Sequence, residues 1–326
     1  MVSKCRKIMA KINIMIEIKD IEKILQKYDL PEKAPIVLLR ESADNFVFTI
    51  GQNNKTILRI SKRLPIEDII FEIELLNHLN SKGVPVPKVI KNNLDSYYSL
   101  IDESVCVAFE FLNGVHIQVD KEHLPTKIQA FNAGKSMGLF ANAGKDFSSS
   151  SERKRDIFME LNRALDLEEF FSAHFEGGPE FISQIRESIE FGLSQKEEMS
   201  IIHNDYRPGN VFFNLKDEVV GLIDFDWSCY GPSIKDLALA IVEWSFPDGA
   251  DEPDMVLFDE FLAGYNSVVS TQIKKDDYLF KWITFTTLSD SATYFCDLAE
   301  DVNSTKRVIR SFMYRKYLYF SKMLKS

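Results

Sequence analysis

Ile201-Ile202-His203-Asn204-Asp205-Tyr206-Arg207-Pro208-Gly209-Asn210-Val211-Phe212-Phe213, then Asn214 to Glu218, then Val219-Val220-Gly221-Leu222-Ile223-Asp224-Phe225-Asp226, is the stretch on which the reading of this chain turns. Two apolar runs of β character flank a polar turn centred near Asp217, the pattern of a hairpin. Asn210 and Asp224 are equidistant from that centre. Hairpin pairing therefore predicts that they face one another, with Cβ atoms about 4.5–5.5 Å apart. An amide oxygen and a carboxylate at one open end make a ligand pair for Mg²⁺, which completes its shell with water and substrate phosphate. Asp226 either adds a ligand for a second metal or faces solvent.

Asp205 lies in the loop just before Asn210 and is expected to project into the same open end. An ionised carboxylate only accepts hydrogen bonds, which suits it to receive a proton from an attacking hydroxyl. His203, at the end of the first strand, is placed to bond the backbone and brace the loop, and Pro208-Gly209 supplies its bend. Arg207 either meets substrate or transferred phosphate, or makes a local salt bridge. A metal that neutralises phosphate charge and a residue that orients the nucleophile are what phosphoryl transfer requires.

The rest of the chain bounds the partners. Its 326 residues are 45% hydrophobic and 27% charged, enough apolar material for one large domain or two lobes. The formal net charge of −10 argues against a nucleic-acid backbone as partner and favours a cationic ligand over an anionic one. Cys5, Cys106, Cys229 and Cys296 are scattered without a CxxC pair, so reduced thiols are expected rather than a zinc site or disulfide framework. Lys4, Arg6, Lys7 and Lys11 precede an apolar run interrupted by Glu17 and Lys19, which does not make a signal peptide. No run of eighteen or so apolar residues is present to span a membrane. The expectation is a cytoplasmic protein without membrane contact; its oligomeric state is not readable.

Asn45 to Ile50 and Lys55 to Ile60 predict a hairpin, and Ile66, Ile69, Ile70, Ile73, Leu76 and Leu79 the apolar face of a helix that Gly83, Pro85 and Pro87 stop. Val105 to Phe109 reads as a buried strand ending at Asn113-Gly114, a turn and lobe boundary. Beyond it, helices are predicted over 125–144, 152–174, 178–195, 233–246, 253–270 and 276–298, with one more at the C-terminus. The fold class is α+β, with a small β-rich N-terminal lobe, 1–112, and a larger, mainly helical C-terminal lobe, 113–326.

The catalytic-loop residues His203, Asp205 and Asn210, followed by Asp224-Phe225-Asp226 and by Gly231-Pro232-Ser233-Ile234-Lys235-Asp236-Leu237-Ala238, resemble the aminoglycoside phosphotransferase and choline kinase-like family, relatives of the protein kinases. The resemblance runs from about residue 36 to at least 265. It implies the protein-kinase-like two-lobe fold, a nucleotide between the lobes, Asp205 as catalytic aspartate, His203 as structural support and Asn210 and Asp224 as Mg²⁺ ligands. Asp236 then starts a helix and braces the catalytic loop. In the N-terminal lobe, Arg59 stands where the family has a lysine that contacts nucleotide phosphates, and Glu72 is its matching acid. The phosphate-covering turn falls at Glu41-Ser42-Ala43-Asp44-Asn45, without the family's glycines, and the backbone at Glu110 and Leu112 falls where the purine is bonded.

What the resemblance implies is an ATP- or GTP-dependent phosphotransferase acting on a hydroxyl of a small molecule: an aminoglycoside, an amino alcohol, homoserine or a similar metabolite. A nucleotide-binding pseudokinase is a second reading, favoured by Arg59 and the missing glycines, and a metal-dependent hydrolase a third. Asp248, Asp251, Glu252, Asp254, Asp259 and Glu260 either line a cationic-substrate pocket or are solvated helix ends and faces. Trp227, Trp244 and Phe246, near that run, either stack against substrate or pack in the core, and core is the reading taken.

Overall fold

The computed structural model describes residues 18–28, 30, 34–41, 45–52, 55–62, 64–101, 104–120, 122–300 and 307–324. Within them the chain forms two compact units. One comprises the described residues of Met1–Ile73 with Lys88–Phe111; the other is Glu74–Pro87 with the described residues of Leu112–Ser326.

The first unit is a twisted antiparallel sheet. Strands β1 (Ile36–Glu41), β2 (Asn45–Ile50), β3 (Thr56–Ser61), β4 (Val89–Ile90), β5 (Ser99–Ile101) and β6 (Ser104–Glu110) lie in the order β1-β2-β3-β6-β4, with β5 also on β6. The expected hairpin is present, registered Phe48↔Leu58 and Ile50↔Thr56, and β6, the expected buried strand, pairs with β3 as Leu58↔Ala108. The sheet's apolar face is covered by a helix not expected from the sequence, α1 (Ile18–Lys27). Interspersed Lys and Glu obscured its stripe at Ile21, Ile24 and Leu25, continued by Tyr28, which packs against Phe48, Ile50, Leu58, Ile60, Cys106 and Ala108. The helix predicted after residue 65 is α2 (Ile66–Ser81).

The second unit is mainly helical: α3 (Lys127–Ala143), α4 (Met159–Asp166), α5 (Glu168–His174), α6 (Gly178–Ser194), α7 (Ser233–Ser245), α8 (Met255–Asn266), α9 (Asp277–Glu300) and α10 (Phe312–Met323). The single helix expected over 152–174 is two. Its first residues are diverted, Asp156 accepting from the Phe158 N–H (2.7 Å) and Arg153 reaching the carbonyls of Phe225 and Ser228 (2.8 and 3.0 Å). α3 and α8 cross closely because Gly134 and Gly264 lack side chains; a Cβ at either would stand 2.0 Å from a carbonyl oxygen of the other helix. α7, α4 and α10 pack on α9, whose Trp282, Phe285 and Phe295 are all buried.

The island between these helices supplies short strands. β9 (Met199–Ile202) pairs with β12 (Cys229–Pro232), and β10 (Val211–Phe213) with β11 (Val219–Leu222) and with β7 (Val115–His116); outside the island, β8 (Phe175–Glu176) pairs in parallel with β13 (Arg307–Val308). The hairpin turn is tied by Asn214, whose Oδ1 accepts from the N–H groups of Lys216 and Glu218, with Asp217 at φ 58°. The register differs from the symmetric count. Phe213 pairs with Val219 but Phe212 with Gly221, so β11 carries one extra residue, a bulge. The Ile223 N–H then bonds the Asn210 carbonyl (3.0 Å), and Asp224 lies one residue past the partner of Asn210 rather than opposite it.

Candidate functional site

The loop leaving β9 is fastened by Asp236 in the first turn of α7. Its Oδ2 accepts the His203 N–H and its Oδ1 the Asn204 N–H, each at 2.8 Å, as expected for the brace. Burial pushes the Asp236 carboxyl up, opposed by neighbouring His203, those N–H donors and Lys235. Asn204 sits at φ 62°, a left-handed conformation that asparagine tolerates, and its Nδ2 donates to the Trp227 carbonyl (3.1 Å). Tyr206, fully buried, donates to the Ala133 carbonyl of α3 (2.9 Å). His203 is fully buried too, packed against Phe225 with ring centroids 4.6 Å apart, and its Nε2 meets the Ile223 carbonyl at 3.1 Å. Burial holds this imidazole below its ordinary pKa, so Nε2–H is the donor of a neutral ring. His203 thereby ties the loop to the strand before Asp224.

Asp205 is presented by this frame. Its Oδ2 accepts from Asn210 Nδ2 at 2.9 Å and pairs with Arg207 Nη2 at 3.3 Å. Asn210 also donates to the Asp205 carbonyl (2.9 Å), so its amide nitrogen is committed to Asp205 and its oxygen is the atom left for a cation. The Asp205 carboxyl is pushed up to about 7, first by burial; Arg207 opposes the rise and Asp224 adds to it. Arg207 thus makes the local salt bridge that was one of its two readings. Its guanidinium is half exposed.

Asp224, at φ 71°, opens the tight turn Phe225–Trp227, whose carbonyls Arg153 holds. Asp226 follows in that turn, partly exposed. Among the described residues no group of three or more His, Cys, Asp or Glu side chains is arranged to hold a metal. A carboxylate and an amide oxygen are nonetheless a fit for Mg²⁺, a hard ion usually bound by one or two carboxylates plus substrate phosphates. The committed amide orientation of Asn210 agrees with that donor set.

In the first unit Arg59 and Glu72 form a buried two-pronged ion pair: Nη1 donates to Oε1 at 2.9 Å and Nη2 pairs with Oε2. The guanidinium also lies over the Phe109 ring, 5.4 Å from its centroid. Ser42 falls outside the described residues. The Glu110 N–H donates to the Lys88 carbonyl (2.9 Å), so this N–H is already used within the sheet. Leu112 belongs to the second unit, where its side chain covers Gly221; a Cβ there would meet Leu112 Cδ1 at 2.5 Å.

The acidic run was read two ways, and several of its members are paired. Asp248 bonds the buried Lys316 at 3.1 Å, Asp259 bonds Lys275 at 2.6 Å, and Asp254 caps α8. Trp244 and Phe246 are core, fully buried, whereas Trp227 is partly exposed beneath the guanidinium of Arg155 (3.9 Å). Sequence reasoning passed over a polar stripe on α9, Thr286, Ser289, Asp290 and Thr293, whose i, i+3, i+4, i+7 spacing on a buried helix was the available signal.

Residues 36–268 match the model of the phosphotransferase enzyme family, APH. A homoserine kinase of Rhodopseudomonas palustris (strain BisA53) is 26% identical over 260 residues, covering 76% of this chain and 74% of the relative. Among solved structures, amicoumacin kinase hAmiN in complex with AMP-PNP, Ca²⁺ and Ami superposes with a TM-score of 0.66 at 16% identity, over 94% of this chain and 92% of that one. A microcompartment-associated aminopropanol kinase gives 0.63 at 16% identity, over 95% and 98%. At those identities the structural likeness is one of fold. No helix among the described residues is long and apolar enough to cross a membrane.

Proposed function

We propose, since the chain belongs to the phosphotransferase enzyme family, that Asp205 takes the proton of an acceptor hydroxyl while Asn210 and Asp224 hold the divalent cation, Mg²⁺, that accompanies ATP. The chain is a kinase of small molecules that phosphorylates a hydroxyl group. The acceptor oxygen attacks the γ-phosphorus, the bond from that phosphorus to the bridging oxygen of ADP breaks, and the hydroxyl proton passes to Asp205. When bound, the cation supplies neutralisation of phosphate charge. Residues 1–112 are proposed as the nucleotide lobe and 113–326 as the catalytic and acceptor lobe. Arg59, held by Glu72, is the proposed phosphate contact, keeping a permanent positive charge at that strand position. The backbone at Glu110 and Leu112 is the proposed purine connector. L-Homoserine leads the acceptors to try, because curated relatives carry that activity in their names, followed by amino alcohols and aminoglycosides.

The observation that carries this reading is the Asp205 carboxylate, held between Asn210 and Arg207 on a loop that Asp236 fastens by two hydrogen bonds. The test is a nucleotide-diphosphate release screen over hydroxylated metabolites and aminoglycosides, with Mg²⁺ and either ATP or GTP. Acceptor-dependent release is expected, lowered about 10²–10⁴-fold in Asp205→Ala. Release at the wild-type rate in that variant refutes the role.

A further inference from the structure

Beside the catalytic loop, the second unit holds a small recess, partly open to solvent. Lys235 and Leu239 of α7, Asn204 of the loop, and Thr286, Ser289, Asp290 and Thr293 of α9 line it, with Arg155 and Trp227. Its polar groups are unevenly matched. Arg155 is engaged by the Trp227 ring and by Glu160 at 3.5 Å. Lys235, by contrast, is 4% exposed and forms no ion pair with any described residue; its Nζ donates to Asn204 Oδ1. An ammonium has three donors, and a buried cation without a counter-ion is costly. Thr286 is 1% exposed, and its Oγ1 has no hydrogen-bond partner among the described residues. Buried polar atoms are normally bonded, so an orphaned hydroxyl lining the same recess is a second, independent sign of an absent polar group. Asp290 reaches water yet is walled by protein, and supplies a carboxylate on the same helix face. Because Lys235 holds Asn204, the residue next to Asp205, the recess adjoins the proposed site of proton transfer.

We infer that this recess seats the charged end of the acceptor, with Lys235 and Thr286 taking a carboxylate and Asp290 an ammonium. The inference rests on the kinase reading above and deepens it. These residues select a hydroxy amino acid over the amino alcohol that lacks its carboxylate. Burial pulls the Lys235 ammonium down from its ordinary value, against the attraction of nearby carboxylates including Asp236, Asp290 and Asp205. A bound carboxylate would pair with the Lys235 ammonium and satisfy the Thr286 hydroxyl together. A site built to bond a polar group rejects the analogue without it strongly, because its buried partners are then left unpaired.

L-Homoserine and 3-aminopropan-1-ol differ only by that carboxylate, so the ratio of their kcat/KM values reads the subsite directly. The full chain is assayed with Mg-ATP as wild type, Lys235→Met, Thr286→Val and Asp205→Ala. The wild type is expected to prefer the amino acid by about 100-fold or more. In Lys235→Met the ratio falls to within roughly tenfold of unity, and in Thr286→Val it falls part of the way. Using the ratio cancels any general loss of turnover from a disturbed loop, and Thr286→Val carries the test if Lys235→Met does not fold. Equal use of both acceptors by the wild type overturns the inference. So does a ratio unmoved in the folded variants, or transfer only to other compounds without a carboxylate. Those results leave Asp205-dependent transfer intact. Transfer that persists in Asp205→Ala overturns the kinase reading itself.

Discussion

Replacing Asp236 by Asn tests the frame that presents Asp205. In the wild type each carboxylate oxygen accepts one backbone N–H at 2.8 Å, from His203 and from Asn204, and the side chain is 2% exposed. An asparagine has one carbonyl oxygen and one NH₂ group, so one bond survives and the other becomes donor facing donor. Hydrogen bonds to a charged acceptor are worth about 1.5–3 kcal/mol, and a buried N–H left without a partner costs about 1–3 kcal/mol. These terms overlap, and a loss of about 2–4 kcal/mol is expected. For a unit of this size that lowers the melting temperature by roughly 5–15 °C. The second effect is kinetic: Asn204 keeps its left-handed backbone, φ 62°, under those two bonds, and Asp205 is its neighbour. Freed from one bond, the loop presents Asp205 less often in register, and kcat falls by about tenfold or more while the KM for nucleotide changes less. The assays are urea denaturation followed by circular dichroism, and steady-state kinetics well below the melting point. A variant with wild-type stability and wild-type kcat would refute the claim that Asp236 holds the loop.

Breaking the buried Arg59–Glu72 pair from one side, as in Glu72→Gln, should destabilise the chain by about 3–5 kcal/mol, whereas Arg59→Met with Glu72→Leu should recover much of that loss; additive effects in a double-mutant cycle would contradict a coupled pair. Burial lowers the pKa of His203 in the folded chain, so below pH 6.5 the unfolded chain binds a proton that the native one does not. Stability should therefore fall as pH drops from about 6.5 toward the depressed native value, by at most about 1.4 kcal/mol per pH unit from this residue, and His203→Gln should remove that share of the slope in urea titrations at pH 5 and 7.5. Chelation of divalent cations should abolish phosphotransfer, and Asn210→Ala should raise the Mg²⁺ concentration at half-maximal rate; an unchanged metal titration would remove Asn210 from the cation site.

The bulge between β10 and β11 marks where reading by sequence stops. Alternating apolar runs around Asn214 to Glu218 are enough to call a hairpin, because pattern and turn chemistry are local properties. Register is not local. Pairing starts with Phe213 opposite Val219, two residues short of a count centred on Asp217; the extra residue at Val220 restores one of them, so Asp224 falls one residue past the partner of Asn210, and no count from the turn anticipates it. The same division separates the two ion-pair partners of the first unit from the recess of the second. Arg59 and Glu72 were readable because one lies at a strand position and the other on a helix face that the motif relates. Lys235 is on α7 and Thr286 and Asp290 on α9, two helices that meet only in the packed fold.

By itself, then, the sequence determined the helical and β-rich parts, though not α1 or the break between α4 and α5, and the short-range grouping of His203, Asp205 and Asn210, since spacing within a loop fixes what its side chains are able to reach. Tertiary structure alone decided which buried groups lack a partner: whether an ammonium is paired or a hydroxyl satisfied depends on what the rest of the chain brings within about 3 Å of it.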